Sequence, residues 1–154
     1  MSDGPSEQDM GLYFEQTLKL LRDSQSTDGA LQRDVQRRSN EWSQLPEFNY
    51  ALMVILADPN SCDENTRSLC CLILKNNTRR HYEKFPDNLK SFIKQKSLEL
   101  LRDPSPVVRA TTGILITNIA AGGEIYTWTE LFSTLGQLLG SSEVEIVEST
   151  FLVL

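Results

Sequence analysis

Few side chains in this sequence have the type and spacing needed for a reaction. Its one histidine, His81, follows Arg80 in a basic run, and no serine or cysteine stands beside it at a spacing that would pair a nucleophile with a base. The three cysteines, Cys62, Cys70 and Cys71, form no paired metal-binding motif. Cys70 and Cys71 are adjacent on an expected helix and point in different directions, which suits neither a disulfide nor a metal clamp. They read as small apolar residues. No glycine-rich phosphate loop follows a strand. The "NNT" at 76–78 matches a glycosylation acceptor, but it falls in mid-helix and is discounted. The residues therefore point away from an enzyme, with no cofactor and no metal expected. What remains is recognition chemistry. In "DENTRSLCCLILKNNTRRH", residues 63–81, Lys75 and Arg79 stand four apart with Tyr82 following, a basic row that could serve as a contact surface.

Composition narrows the class of partner. The chain has 154 residues, 40% of them apolar and 23% charged, as expected for one globular domain. A net charge of −6 opposes general nucleic-acid binding, which needs a cationic surface to displace counterions. The charge is unevenly spread. Between Lys75 and Arg102 there are eight basic and three acidic residues, whereas after Arg109 there are five glutamates and no basic residue. Such asymmetry suits a protein partner with its own charge pattern. The acidic start "MSDGPSEQDM" lacks the apolar stretch of a signal peptide, so reduced cysteines are expected. The longest apolar run, "ALMVILA" at 51–57, is too short to span a bilayer.

The elements that must position these residues are helices throughout. Residues 1–10 read as a disordered tail. Apolar residues then recur at three- and four-residue spacings, with no convincing alternation. A first helix is expected near 11–24 and a second, arginine-rich one near 28–44. Pro46 opens a third, which "DPN" ends. Ser61 and Glu64 have capping-box spacing for a fourth, reaching about Tyr82. A fifth follows Pro86 and breaks at "DPSP". Ser105 caps a sixth that ends at "AGG", and Thr127 with Glu130 repeats the capping-box spacing before a seventh ending at Gly140. The last helix starts near Ser142.

These helices fall into pairs, about 11–44, 46–82, 86–122 and an incomplete 125–154. Arg33, Arg67 and Arg109 recur near the start of the second helix of each pair, and Asn118 stands where Asn76 stood. Two antiparallel helices in a period of about forty residues are the signature of HEAT or armadillo units. The fold class is thus all-α, an α-solenoid of HEAT-type pairs with about 3.5 repeats, in which stacked neighbours cover each other's apolar faces. A compact helical bundle is the alternative. At about 100° per residue, Leu69, Leu72, Ile73 and Asn76 share one side of the fourth helix, while Ser68, Lys75, Thr78, Arg79 and Tyr82 share the other. Asn76 and Asn118 are accordingly expected to face neighbouring helices and bond backbone groups between repeats, with Arg67 and Arg109 also in structural inter-repeat roles. Lys75 and Arg79 would form a basic ridge on the concave wall.

"EFNYALMVILAD", "TRSLCCLILKNN", "HYEKFP", "SFIK" and "DPSPVVRATTGILITNIAAGGE", with Trp128 following, resemble the N-terminal region of the importin-β superfamily, nearest its transportin branch. The resemblance covers about residues 11 to 150, and "LILKN" and "RATTGILIT" are long, ordered matches. It implies a nuclear import receptor that catalyses nothing and moves between cytoplasm and nucleus. It further implies N-terminal repeats that grip the small GTPase Ran in its GTP form, with phenylalanine-glycine nucleoporins on the outer helices. The lysine of "LKN", Lys75, carries over as the main Ran contact. Arg79 and His81 lie farther along the same helix, and Gln36, Asn40 and Thr117 are neighbours on the expected wall. Family receptors have many more repeats, so the cargo-binding arch and the acidic release loop are expected to be missing, and Phe151 to Leu154 to form a sticky end. Two alternatives stand beside this reading: a generic HEAT scaffold indifferent to the nucleotide on Ran, and an inert remnant.

Overall fold

The computed structural model describes residues 7–140. Among these, seven α-helices and two short 3-10 turns make up the fold, with no strand. The helices are α1 (Glu7–Asp23), α2 (Gly29–Trp42), α3 (Pro46–Ala57), α4 (Glu64–His81), α5 (Asp87–Leu100), α6 (Pro106–Ala121) and α7 (Thr129–Leu139). The fold is an all-α solenoid of HEAT-type pairs. Helices α1, α3 and α5 pack side by side in one layer, and α4 packs along α6 in the other. No described helix is long and apolar enough to cross a membrane.

Local chemistry explains where the helices start. Asp28 caps α2, its carboxylate accepting from the Ala30 amide at 2.9 Å. Pro46 and Pro106 take the first turns of α3 and α6, where their missing N–H costs nothing. Ser105 caps α6 by accepting from Val108 N at 3.2 Å. Three expectations need correction. Helix α1 begins at Glu7, inside the segment read as a tail. The cap of α4 is Asp63, which accepts from Thr66 N at 2.7 Å. Ser61 instead donates to the carbonyls of Ile55 and Asp58, closing the loop after α3. At α7 the N-cap position is Trp128, whose side chain caps nothing, and the Thr127 hydroxyl donates backward to Glu124 O. The expected eighth helix and the apolar end at Phe151 to Leu154 lie outside the described residues, as do residues 1–6 of the tail.

One core runs through the stack. Phe48, Leu52, Ile55 and Leu56 of α3 meet Leu20 and Leu21 of α1, Cys70, Cys71 and Leu74 of α4, Leu89 and Ile93 of α5, and Leu115, Ile116 and Ile119 of α6. Leu131, Leu135 and Leu138 of α7 complete it, with Trp128 beneath them. Each fully buried Leu, Ile or Phe contributes roughly 1.5–3 kcal/mol relative to an exposed one, so this stripe-on-stripe packing is the main source of stability. Cys70 and Cys71 are both fully buried, as small apolar residues would be. Burial pushes the Cys71 thiol up to about 11 and raises that of Cys70 further. Cys62, in the loop before α4, is only partly buried. Alkylation of the native chain should therefore modify one thiol of the three, and alkylation in denaturant all three, as counted by mass spectrometry. Modification of Cys70 or Cys71 at the rate of Cys62 would show that the α3–α4 core opens readily.

A buried ionic knot ties successive pairs together. Arg67 of α4 reaches back to Leu56 O at the end of α3, donating from Nε at 3.0 Å and Nη2 at 2.7 Å. The same guanidinium reaches forward to Asp103, donating from Nη1 to Oδ1 at 3.2 Å and from Nη2 to Oδ2 at 2.5 Å. Asp103 Oδ1 also accepts from Ser105 N at 2.9 Å, and its backbone carbonyl accepts from Arg109 Nη1 at 2.6 Å. Arg67 and Arg109 are both buried, Arg67 crossing to the next pair and Arg109 bonding Asp103 O within its own pair. Arg33, by contrast, is exposed on α2, a helix that packs on α1 and buries no residue of its own.

Candidate interaction surface

The open face of α4 and α6 is the surface that could meet a partner. On α4 the buried residues are Thr66, Arg67, Cys70, Cys71, Leu74, Asn77 and Thr78. That face is rotated from the expected one. Asn76 is exposed, Leu72 is 37% exposed, and Thr78, expected to be outward, is buried. The asparagine that faces inward is Asn77, which donates from Nδ2 to Asn49 Oδ1 at 3.0 Å. Asn49 in turn donates to Ser43 O at 3.1 Å and Leu45 O at 2.9 Å, so the pair links α4 to the start of α3. Asn118, expected to bond between repeats, is half-buried and lines a surface cleft; its backbone carbonyl accepts from Gly122 N at the end of α6.

The nominated contact residues fall into separate groups. Lys75 is half-buried, one turn after Cys71, with no ion pair among the described residues. Arg79 is exposed one turn further on. His81 is half-buried, and its Nε2 lies 3.2 Å from Ser43 Oγ, so the ring is tied to the α2–α3 connection. Gln36 and Asn40 are exposed one turn apart on α2, bonded to each other at 3.2 Å. Thr117 is exposed on α6, its hydroxyl donating to Gly113 O at 2.8 Å. The structure brings Arg79, His81 and Asn118 together in one cleft of about 460 Å³. Thr117 and Asn118 line a neighbouring depression of about 400 Å³ with Ala110, Gly113 and Ile114. Gln36 and Asn40 belong to neither.

The sequence nominated neither Arg80 nor Lys84 as a contact, yet the fold places both at this site: with Tyr82, already part of the expected row, they line the cleft at the end of α4. The count of basic residues already contained Arg80 and Lys84, but only the fold, through the 3-10 turn Tyr82–Lys84, puts both on one cleft. Burial raises the Tyr82 phenol well above its ordinary value, and Glu124 beside it adds to the shift. Lys90 Nζ sits 5.3 Å from the centre of the same ring. Glu124 itself is paired with Lys94 at 2.7 Å. Among the described residues no group of three or more His, Cys, Asp or Glu could hold a metal ion.

Comparison with known proteins adds the family context. The family described as "Importin-beta N-terminal domain" matches residues 36–103, from the middle of α2 to Asp103. Transportin-1 of Mus musculus and of Homo sapiens are each 44% identical over 147 residues, which is 96% of this chain and 16% of each relative. Transportin of Dictyostelium discoideum is 30% identical over 141 residues, covering 92% of this chain and 15% of the relative. The chain thus spans about a sixth of the length of these relatives.

Proposed function

We propose, from the premise that this chain belongs to the importin-β superfamily and within it to the transportin branch, that it is the Ran-gripping end of a nuclear import receptor. The observation that carries the reading is the extent of the likeness: 44% identity running through 96% of the chain, across all the helices that form the wall. In this reading α4 and α6 present the contact surface for Ran in its GTP form, and Lys75 is the central contact. Arg79 extends it along α4, while Gln36, Asn40 and Thr117 lie at its edges. His81 acts indirectly, by holding the α2–α3 connection through Ser43. Phenylalanine-glycine nucleoporins would touch the outer layer, α1, α3 and α5. The protein moves between cytoplasm and nucleus and catalyses no reaction.

The test is a titration of the chain against Ran loaded with a non-hydrolysable GTP analogue and, in parallel, with GDP. The GTP form should bind at least about tenfold more tightly. The Lys75→Glu variant should weaken that binding by about tenfold, since it places a like or unpaired charge in the contact, with no change in helicity by circular dichroism. Equal binding of both nucleotide forms would make the chain a general HEAT scaffold. No binding by a folded chain would remove the Ran contact from these helices. Undiminished binding by Lys75→Glu would remove Lys75 from the site.

A further inference from the structure

The ends of α4 and α6 form a cleft whose charge differs in sign from that of the chain as a whole. Arg79 and Arg80 come from the last turn of α4 and Lys84 from the following 3-10 turn. The opposite wall is the end of α6, from Asn118 to Gly122, with Ile119 as an apolar floor. Arg79, Arg80 and Lys84 are all exposed, and none forms an ion pair among the described residues. Half of the other surface lysines and arginines do have ionic partners: Lys19 with Asp23, Arg37 with Asp34 and Glu41, Arg38 with Asp23 and Asp34, Lys94 with Glu124, and Lys96 with Glu99. One acid, Glu83, lines the cleft.

We propose that this cleft is a docking site for a short, extended, carboxylate-rich segment of a partner protein. Guanidinium groups on neighbouring residues offer forked donors that match carboxylates in two directions, and Lys84 adds a point charge to the same cleft. A simpler role for cations at a helix end is to offset the macrodipole, and Arg79 and Arg80 serve it. That role does not account for Lys84, which lies beyond the helix, or for the hollow between these charges and the end of α6. The terminal carbonyls are in any case partly occupied: Thr78 O accepts from Tyr82 N, and Asn118 O and Ala120 O accept from Gly122 N and Gly123 N. They oppose an incoming anion less than bare ends would. Gly123, at φ 115°, takes the left-handed conformation that lets the chain turn directly after α6. The volume, about 460 Å³, accommodates a few residues of peptide.

The same observations disfavour nucleic acid as the occupant. With a net charge of −6, the rest of the chain would repel a long polyanion, while a short acidic segment meets only the local cations. The inference goes beyond the Ran reading and does not rest on it: the probe is a peptide, and although Arg79 and His81 are shared with that reading, its central contact Lys75 is not among the residues lining the cleft.

Fluorescence anisotropy with a short labelled peptide of alternating glutamate and serine tests the proposal on the full chain. A lysine–serine peptide and a single-stranded oligonucleotide of equal charge serve as controls. Saturable binding of the acidic peptide is expected, weakening as salt rises. A double variant, Arg79→Ala with Arg80→Ala, should bind about tenfold more weakly, as expected for the loss of two solvent-exposed charge contacts. Lys84→Ala should weaken binding in the same direction, and Lys96→Ala, whose cation pairs with Glu99 on α5, should leave it unchanged. Circular dichroism should show the same helicity in all variants, since Arg79, Arg80 and Lys84 are exposed and Lys96 is partly exposed. The absence of saturable peptide binding, undiminished binding by the double variant, or tighter binding of the oligonucleotide than of the peptide would each overturn the proposal.

Discussion

Replacing Asp103 with alanine should destabilise the protein by about 3–5 kcal/mol, the range expected when one partner of a buried ion pair is removed. Asp103 is 6% exposed and Arg67 is 3% exposed, so the guanidinium left behind cannot turn to water without tearing α4 away from α3. Two of its hydrogen bonds, to Leu56 O, would survive and hold the charge where it is worst solvated. The same substitution removes the acceptor for Ser105 N at the start of α6. In a chain of this size each kcal/mol lowers the melting temperature by roughly 2–4 °C, so a fall of about 6–20 °C is expected. Calorimetry or urea titration of Asp103→Ala measures it directly. Asp103→Asn separates charge from shape: it keeps one acceptor oxygen near the same place and should recover part, but not all, of the loss. A change below about 1 kcal/mol for Asp103→Ala would show that the knot is solvated in solution and does not join the repeats.

How much of this was visible beforehand depends on the kind of signal. The recurrence of Arg67 and Arg109 suggested a structural role, and both are buried, where a charge must be paired to be tolerated; Arg67 reaches across to the next pair, while Arg109 bonds Asp103 O within its own. The partner was not visible. Asp103 lies in "DPSP", whose prolines mark a break between helices and say nothing of a carboxylate turned inward 36 residues from its arginine in the chain. Arg33 fits the same spacing yet is exposed, since periodicity in sequence does not show whether another helix covers the face. The cap of α4 was misplaced for a similar reason. Ser61 and Asp63 are both good capping residues, and the choice fell to Asp63 once the loop after α3 had engaged the serine hydroxyl with Ile55 O and Asp58 O. At the cleft, the basic residues of α4 were countable in the sequence, but the hollow between them and the end of α6 exists only in the packing of two helices distant in the chain.

The adjacent asparagines Asn76 and Asn77 give the sharpest case. Reading the α4 stripe from Leu69, Leu72 and Ile73 turns Asn76 inward. The buried face instead carries Thr66, Arg67, Asn77 and Thr78 at its two ends, so hydrophobicity alone rotates the helix wrongly by about 100°, one residue. The two positions should respond very differently to leucine. Asn77→Leu keeps the number and branching of heavy atoms, with bulkier methyls, but removes the donor to Asn49 Oδ1, leaving a buried carbonyl oxygen without that bond. Asn49 has no exposed surface, so no water can replace the donor without rearrangement. The expected loss is about 1–3 kcal/mol. Asn76→Leu sits on the exposed face and should change stability by no more than about 0.5 kcal/mol. Pairing Asn77→Leu with Asn49→Leu tests the cause, since removing both polar partners should cost less than the sum of the two single changes if the hydrogen bond is responsible. Thermal unfolding of the four chains against wild type measures every term. Equal losses at Asn76 and Asn77 would show that α4 is turned differently in solution, and additive losses at Asn49 and Asn77 would show that the two amides act independently.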